Sequence, residues 1–346
     1  MASTESPSPS TNRAKSPTGT PPYYVGVDLG GTKIMVGVFD STLRSIGRDK
    51  IGTKSHRGTE AVIQRIAKCV REEVEDCKIN LKDVRAVGVG APSAVNEATG
   101  EVLFAPNLQW RNVPLKQELE SLLERPVYVA NDCNMATLGI HQVEFKGKYG
   151  DLIGIFLGTG IGGGLVLNGK IYSGFDSAAG ELGHMVILAG GPTCSCGNQG
   201  CFEALAGRAS LYRQIQAAVD KGEKTILTEI QAGQLTNLRS RSLRKALQEN
   251  DKLATKIIRK ASKYTGIAVA NLINIFSPEI IVLGGGMIEA LEQQMMPEIE
   301  ASARQHILTG TNSSVRILAT QLGDHAGITG GAVLARERSV ESATER

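Results

Sequence analysis

The sequence predicts an α/β protein with largely parallel strand pairing, organised as two domains. Apolar strands of the buried type alternate with amphipathic helical patterns along most of the chain. Several of these strands run directly into glycine turns, and the 40 glycines collect there rather than in a repeat. At 346 residues the chain is also longer than one hydrophobic core usually fills. A formal net charge of +3 is too small to point to nucleic acid or to a membrane surface.

The first 22 residues, MASTESPSPSTNRAKSPTGTPP, offer almost nothing to bury, so residues 1–22 are expected to be a disordered tail. No apolar stretch of signal-peptide or membrane-spanning length occurs, and a cytoplasmic location is expected. Residues 23–40, YYVGVDLGGTKIMVGVFD, read as two apolar strands around the turn Gly30-Gly31-Thr32-Lys33. Apolar residues at Val62, Ile66, Cys69, Val70 and Val74 then mark an amphipathic helix over 59–74. VRAVGVGAPSAV, residues 84–95, is a buried strand ending in a glycine and proline turn. A helix over 115–123 leads to VYVANDCN, residues 127–134, whose strand delivers Asn131 and Asp132 at its C-terminal end.

Residues 151–172, DLIGIFLGTGIGGGLVLNGKIY, repeat the opening pattern of strand, glycine turn and strand. The likeness hints at an internal duplication, although two glycine-rich hairpins can also agree by coincidence. Asp251 is placed to cap a helix that runs to Phe276 and is stopped by Ser277-Pro278. EIIVLGGG, residues 279–286, gives another buried strand running into glycines. One more strand and an Ala- and Gly-rich helical stretch lie within 315–335.

Three glycine turns follow apolar strands: Gly30-Gly31-Thr32-Lys33, Gly158-Thr159-Gly160 with Gly162-Gly163-Gly164, and Gly284-Gly285-Gly286. Glycine lets backbone amides approach an anion, and a neighbouring hydroxyl and lysine add charge-assisted bonds, so each turn fits phosphate. Each alone equally fits a tight hairpin or a closely packed sheet. Neither the P-loop spacing nor the dinucleotide fingerprint is satisfied. Asp28, just before the first turn, suits Mg²⁺ or its water shell beside such phosphates.

Of six cysteines, Cys69 and Cys133 read as small buried hydrophobes, and Cys77 less clearly so. Cys194, Cys196 and Cys201 instead cluster with His184 as a full tetrahedral set for zinc, with no position left open for catalysis. A nucleic-acid finger is opposed by the flanking acids Glu181 and Glu203, which would repel phosphate backbones. If zinc pins His184 and Cys201, the same two acids become rigid acceptors for the hydroxyls of a polyol. Capping a helix or facing solvent is the plainer alternative for them. Asn131-Asp132 in isolation likewise reads as a helix cap.

These residues together resemble the ROK family, over about residues 24–335. The most specific part is Glu181-Leu182-Gly183-His184-Met185 followed by Cys194-x-Cys196-Gly197-x-x-Gly200-Cys201-x-Glu203, with Asp28-x-Gly30-Gly31-Thr32-Lys33, Gly158-Thr159-Gly160 and Gly284-Gly285-Gly286 as phosphate-side and nucleotide-side motifs. The resemblance implies a two-domain actin-like ATPase fold of the ribonuclease H-like type with a structural zinc loop over 184–201. The domains would span 23–132 and 133–346, with the C-terminal helix packing back on the first. It implies ATP with Mg²⁺ as donor, Asp132 as catalytic base, and Asn107, Asn131, Glu181, His184 and Glu203 as sugar contacts. The implied activity is phosphorylation of a hexose 6-hydroxyl, glucose first. The alternatives are N-acetylmannosamine, N-acetylglucosamine, fructose, mannose or allose as substrate, polyphosphate as donor, or a non-catalytic sugar-responsive regulator. A homodimer or homotetramer is implied, with no nucleic-acid or membrane partner. The family's repressors carry a DNA-binding module ahead of this core, and 22 residues before the first strand are too few to hold one. The family's usual Pro-Gly is Pro92-Ser93 here, which implies an altered backbone in the loop under the sugar.

Overall fold

The computed structural model describes residues 19–230, 238–311 and 314–344, so most of the expected tail, residues 1–18, lies outside the described residues. The first half contains β1 (Tyr23–Leu29), β2 (Lys33–Phe39), β3 (Ser45–Gly52), α1 (Thr59–Asp76), β4 (Val84–Ala91), β5 (Ala94–Asn96), β6 (Glu101–Ala105), β7 (Trp110–Val113), α2 (Leu115–Leu123), β8 (Val127–Asn131) and α3 (Asp132–Gly139). The second contains β9 (Leu152–Leu157), β10 (Ile161–Leu167), β11 (Lys170–Ile171), α4 (Phe202–Ala206), α5 (Arg208–Asp220), α6 (Leu227–Ile230), α7 (Ser240–Gln248), α8 (Lys252–Phe276), β12 (Ile280–Gly284), α9 (Gly286–His306), β13 (Arg316–Ala319) and α10 (Ala326–Thr344). Asp251 caps α8 as expected, its carboxylate accepting from the Ala254 N–H at 2.7 Å. No helix among the described residues is long and apolar enough to cross a membrane.

Two five-stranded sheets carry the molecule, ordered β3-β2-β1-β4-β8 and β11-β10-β9-β12-β13. In both, the three strands of the opening meander pair antiparallel and the last two join in parallel. The likeness read between residues 23–40 and 151–172 therefore extends to strand order and direction over five strands. A small sheet, β5-β6-β7, fills the connection between β4 and α2.

Apolar burial follows the pattern of the strands. β1, β2 and β4 pack Val25, Val27, Val36, Val38, Val87 and Val89 against α1 and α2, whose buried faces include Ile66, Val70, Leu115 and Leu119. β9, β12 and β13 pack against α5, α7, α8 and α9 in a second core. Two helices cross between the halves. α3 follows the last strand of the first sheet yet lays Cys133 and Thr137 on Gly162 and Gly164 of β10. α10 follows the last strand of the second sheet yet packs Ile328, Ala332 and Val333 with Tyr24, Met35 and Ala86 of the first.

The crossing works because the backbones touch. A Cβ on Gly330 of α10 would collide with the Met135 carbonyl of α3, and one on Gly26 of β1 would meet the Ile328 carbonyl. Close backbone approach is what the Gly-rich segment ITGG, residues 328–331, provides. Gly330→Ala is accordingly expected to destabilise the protein by about 1–3 kcal/mol through overpacking. Thermal denaturation reads this, and an unchanged midpoint would show that α10 is not seated against α3.

Candidate active site

The parallel strands of each sheet end at one edge, where open α/β sheets bind ligands. Asp28 of β1 pairs in register with Gly90 of β4, and Ala91 with Asn131 of β8. Asp28 and Asp132 thus flank β4 at about 10 Å, two strand spacings. Gly327, at the start of α10, lies close against the Asp28 carboxylate.

Asn131 does two things at once. Its Oδ1 caps α3, accepting from the Cys133 and Asn134 N–H groups at 2.9 and 3.1 Å, and its Nδ2 donates to the Ser93 carbonyl at 3.0 Å. Helix capping and site placement are one role here, because the cap aims Asp132 at the strand edge. Ser93 has φ 65°, a conformation that favours glycine. The serine therefore keeps a glycine-type backbone in the loop under the site, which answers the expectation of an altered one.

Asp132 Oδ1 accepts from the Cys133 N–H at 2.8 Å. Burial pushes its carboxyl up to about 7, the Asp28 charge and, less, that of Glu181 adding to it, against the lowering effect of the Cys133 bonds. Burial also raises Asp28 to about 6, partly offset by the Lys33 ammonium. A desolvated carboxylate of this kind fits a hydrated divalent cation, so Asp28 is the residue that would hold Mg²⁺.

The glycine turns divide between the sheets. At the first, the Gly30 N–H bonds the Lys33 carbonyl at 2.9 Å, and the side chain of Asn107 lies against Gly31. Asn107 is exposed beside this turn. The Lys33 ammonium already has a partner, Asp324 Oδ2, at 2.6 Å. The second and third turns are neighbours: Gly285, at φ 84°, brings the head of α9 so near β9 that a Cβ would stand 2.6 Å from the Leu157 carbonyl oxygen. Exposed Thr159 accepts a bond from Arg208 Nη2 at 2.6 Å. Sequence reasoning missed Arg208, which opens an ordinary-looking helix and carries no motif.

His184, Cys194, Cys196 and Cys201 bring their ligand atoms within 4.8 Å of one another. Sγ of Cys194 is 3.7 Å from His184 Nδ1, and Sγ of Cys196 is 3.7 Å from that of Cys201. A tetrahedron with zinc–sulfur bonds of about 2.3 Å has edges of about 3.8 Å, so the donor set fits zinc. The other imidazole nitrogen, Nε2, faces Glu181 Oε2 at 3.8 Å. Glu203 ties this loop to the second sheet: Oε2 accepts from the Ile161 N–H and Oε1 from Ser195 Oγ, both at 2.9 Å. Of the two acids Glu203 is the anchored one, and Glu181 is exposed. The Glu181 charge acts on Asp132, so the His/Cys loop lies on the same side of the molecule as the head of α3.

The sequence model of one known family, the ROK family, matches residues 24–338. The chain belongs to the ROK family. It is 33% identical over 318 residues to a glucokinase of Thermotoga maritima, covering 91% of this chain and 97% of that protein. It is 30% identical over 312 residues to a putative xylose repressor of a Caldicellulosiruptor species, covering 88% of this chain and 76% of the repressor. Among solved structures, a ROK family glucokinase from Streptomyces griseus in complex with glucose and AMPPNP aligns with a TM-score of 0.80 at 33% identity, covering 91% of this chain and 99% of that one. A broad groove of about 1220 Å³ at the opposite end of the first sheet, lined by Lys82, Arg85, Lys116 and Glu120 among others, gathers no comparable donor set.

Two outcomes are expected. Purified protein should carry about one zinc per chain by metal analysis, and Cys201→Ser should lose it together with several degrees of thermal stability. An Asp132 raised from 3.8 to about 7 favours the folded state when protonated, and that contribution fades as pH rises between those values. Asp132→Asn should therefore gain stability over wild type as pH rises from about 4 to 7, and hold a constant gain above that. Denaturant midpoints across this range check it, and a pH-independent difference would overturn the assignment.

Proposed function

We propose that the protein transfers the γ-phosphoryl group of ATP to the 6-hydroxyl of a hexose, with glucose as the first candidate. The feature that carries this reading is Asp132: a buried carboxyl pushed up to about 7, next to the Asn131 cap of α3, with the charge of Glu181, the neighbour of His184, acting on it. A base with a pKa near the working pH can take the hydroxyl proton as the oxygen attacks, and can also orient that hydroxyl. Asn131 has one amide N–H beyond its bond to Ser93 for a sugar oxygen. Glu181, His184 Nε2, Glu203 and Asn107 offer the acceptors and donors that read the remaining ring hydroxyls. The turns at Gly30–Lys33, Gly158–Gly160 and Gly284–Gly286 would cradle the donor, with Asp28 toward Mg²⁺, which supplies neutralisation of the phosphate charge. Zinc held by His184, Cys194, Cys196 and Cys201 would have a structural role, keeping the Glu181–Glu203 rim in place.

The glucokinase relatives support glucose over an N-acetylhexosamine. The likeness to a xylose repressor favours, as a second reading, a sugar-responsive regulator without turnover. ADP release over a panel of hexoses and N-acetylhexosamines, with ATP and polyphosphate as donors, separates these. Sugar binding without ADP release on any member would favour the regulator. In an active protein, Asp132→Ala is expected to lower kcat by about 10²–10⁴-fold while sugar and nucleotide still bind. The wild-type kcat/KM is expected to fall as pH drops below about 7, where Asp132 becomes protonated. Near wild-type turnover in Asp132→Ala would overturn the assignment of the base.

A further inference from the structure

Arg208 stands at the head of α5 with its guanidinium half-buried. Burial alone pulls its pKa below the usual arginine range, with no carboxylate acting to raise it. Among the described residues it forms no ion pair, and its two side-chain hydrogen bonds go to neutral hydroxyls. Nη2 donates to Thr159 Oγ1 at 2.6 Å, and Nη1 to Ser240 Oγ at 3.3 Å. A guanidinium has five N–H donors in a planar fork, so most of its donor capacity is uncommitted.

The place matters as much as the missing partner. The backbone of α5 is locked to the second glycine turn, the Arg208 and Ala209 N–H groups donating to the Gly158 and Thr159 carbonyls at 3.1 and 3.0 Å. Ser240 Oγ is also the nearest group to a Cβ built on Gly286, at 4.0 Å, so Arg208 reaches from the second turn toward the head of α9. The lysine of the first turn is neutralised by Asp324. Thr159 and the glycines around it bring no charge of their own.

We propose that Arg208 grips the phosphate chain of the nucleoside triphosphate donor, supplying the positive charge that the second glycine turn lacks. This rests on the ATP-dependent reading above. The fork keeps its bond to Thr159 and turns its free N–H groups to phosphate oxygens, so the ligand completes a site whose cation already waits without a counter-charge.

The test uses the full-length protein with Arg208→Gln, Arg208→Lys and, in case the glutamine variant does not fold, Arg208→Met as a second neutral replacement. Steady-state ADP release gives KM for ATP and for the hexose, and calorimetry gives affinities for ATP and for adenosine, which has no phosphate. The neutral variants are expected to raise KM for ATP by about tenfold or more, with Lys recovering part of the loss. The hexose KM and the adenosine affinity should stay within about twofold. If Arg208 only pins Thr159, glutamine can make the same bond and its ATP KM would match wild type, which overturns the proposal. Equal losses for adenosine and ATP would overturn it as well. A wild-type protein that releases no ADP with any sugar marks failure of the kinase reading, whereas an active wild type with an unaffected glutamine variant marks failure of this inference alone.

Discussion

The candidate site depends on the desolvation of one carboxylate at the first turn of α3. A helix N-terminus favours a negative charge by about 0.3–1 kcal/mol, and the Cys133 N–H bond works in the same direction. Burial and the charge of Asp28 outweigh both, since the net displacement of Asp132 is upward to about 7. The fold thus holds a group that is more comfortable protonated, at the edge where β1, β4 and β8 end. The residue beside it, Asn131, is the one that caps α3 through its side chain.

The His/Cys loop matters to this arrangement through its neighbours more than through its four donors. The imidazole offers Nδ1 to the cluster and Nε2 to Glu181, so a metal on one side would fix the tautomer and the orientation on the other. Glu203 extends the same logic, joining the loop to the first residue of β10 through the Ile161 N–H. The second glycine turn, which precedes β10, is therefore braced from the metal side. The His/Cys loop and the second glycine turn thus share one connection.

Much of this was legible in the sequence. Hairpins around glycine turns, the α8 cap at Asp251, the burial of Cys69 and the gathering of the His/Cys set all follow from local patterns that the structure repeats. What stayed hidden is what long-range pairing decides. Lys33 reads as a phosphate ligand, yet its nearest anion, Asp324, comes from a segment 291 residues away. Ser93 reads as a departure from a glycine, yet the surrounding loop and the Asn131 bond hold it in a glycine conformation. Sheet order was not readable because strands of near-identical Val and Ile content carry no label for their neighbours. Arg208 had no signal at all, since among the described residues it is set apart by having no acid paired with it, which no local pattern shows.

The exchange of α3 and α10 has an architectural consequence. Each half lends its final helix to the other, so neither sheet owns all the apolar cover it needs, and cutting the chain between Asp132 and Cys133 would strip the first sheet of the α10 face that covers it. The two halves behave as interlocked brackets rather than beads on a string. Where they cross, at Gly139 and Gly330, backbone meets backbone with no side chain between them, so any residue larger than glycine at either position would push the brackets apart.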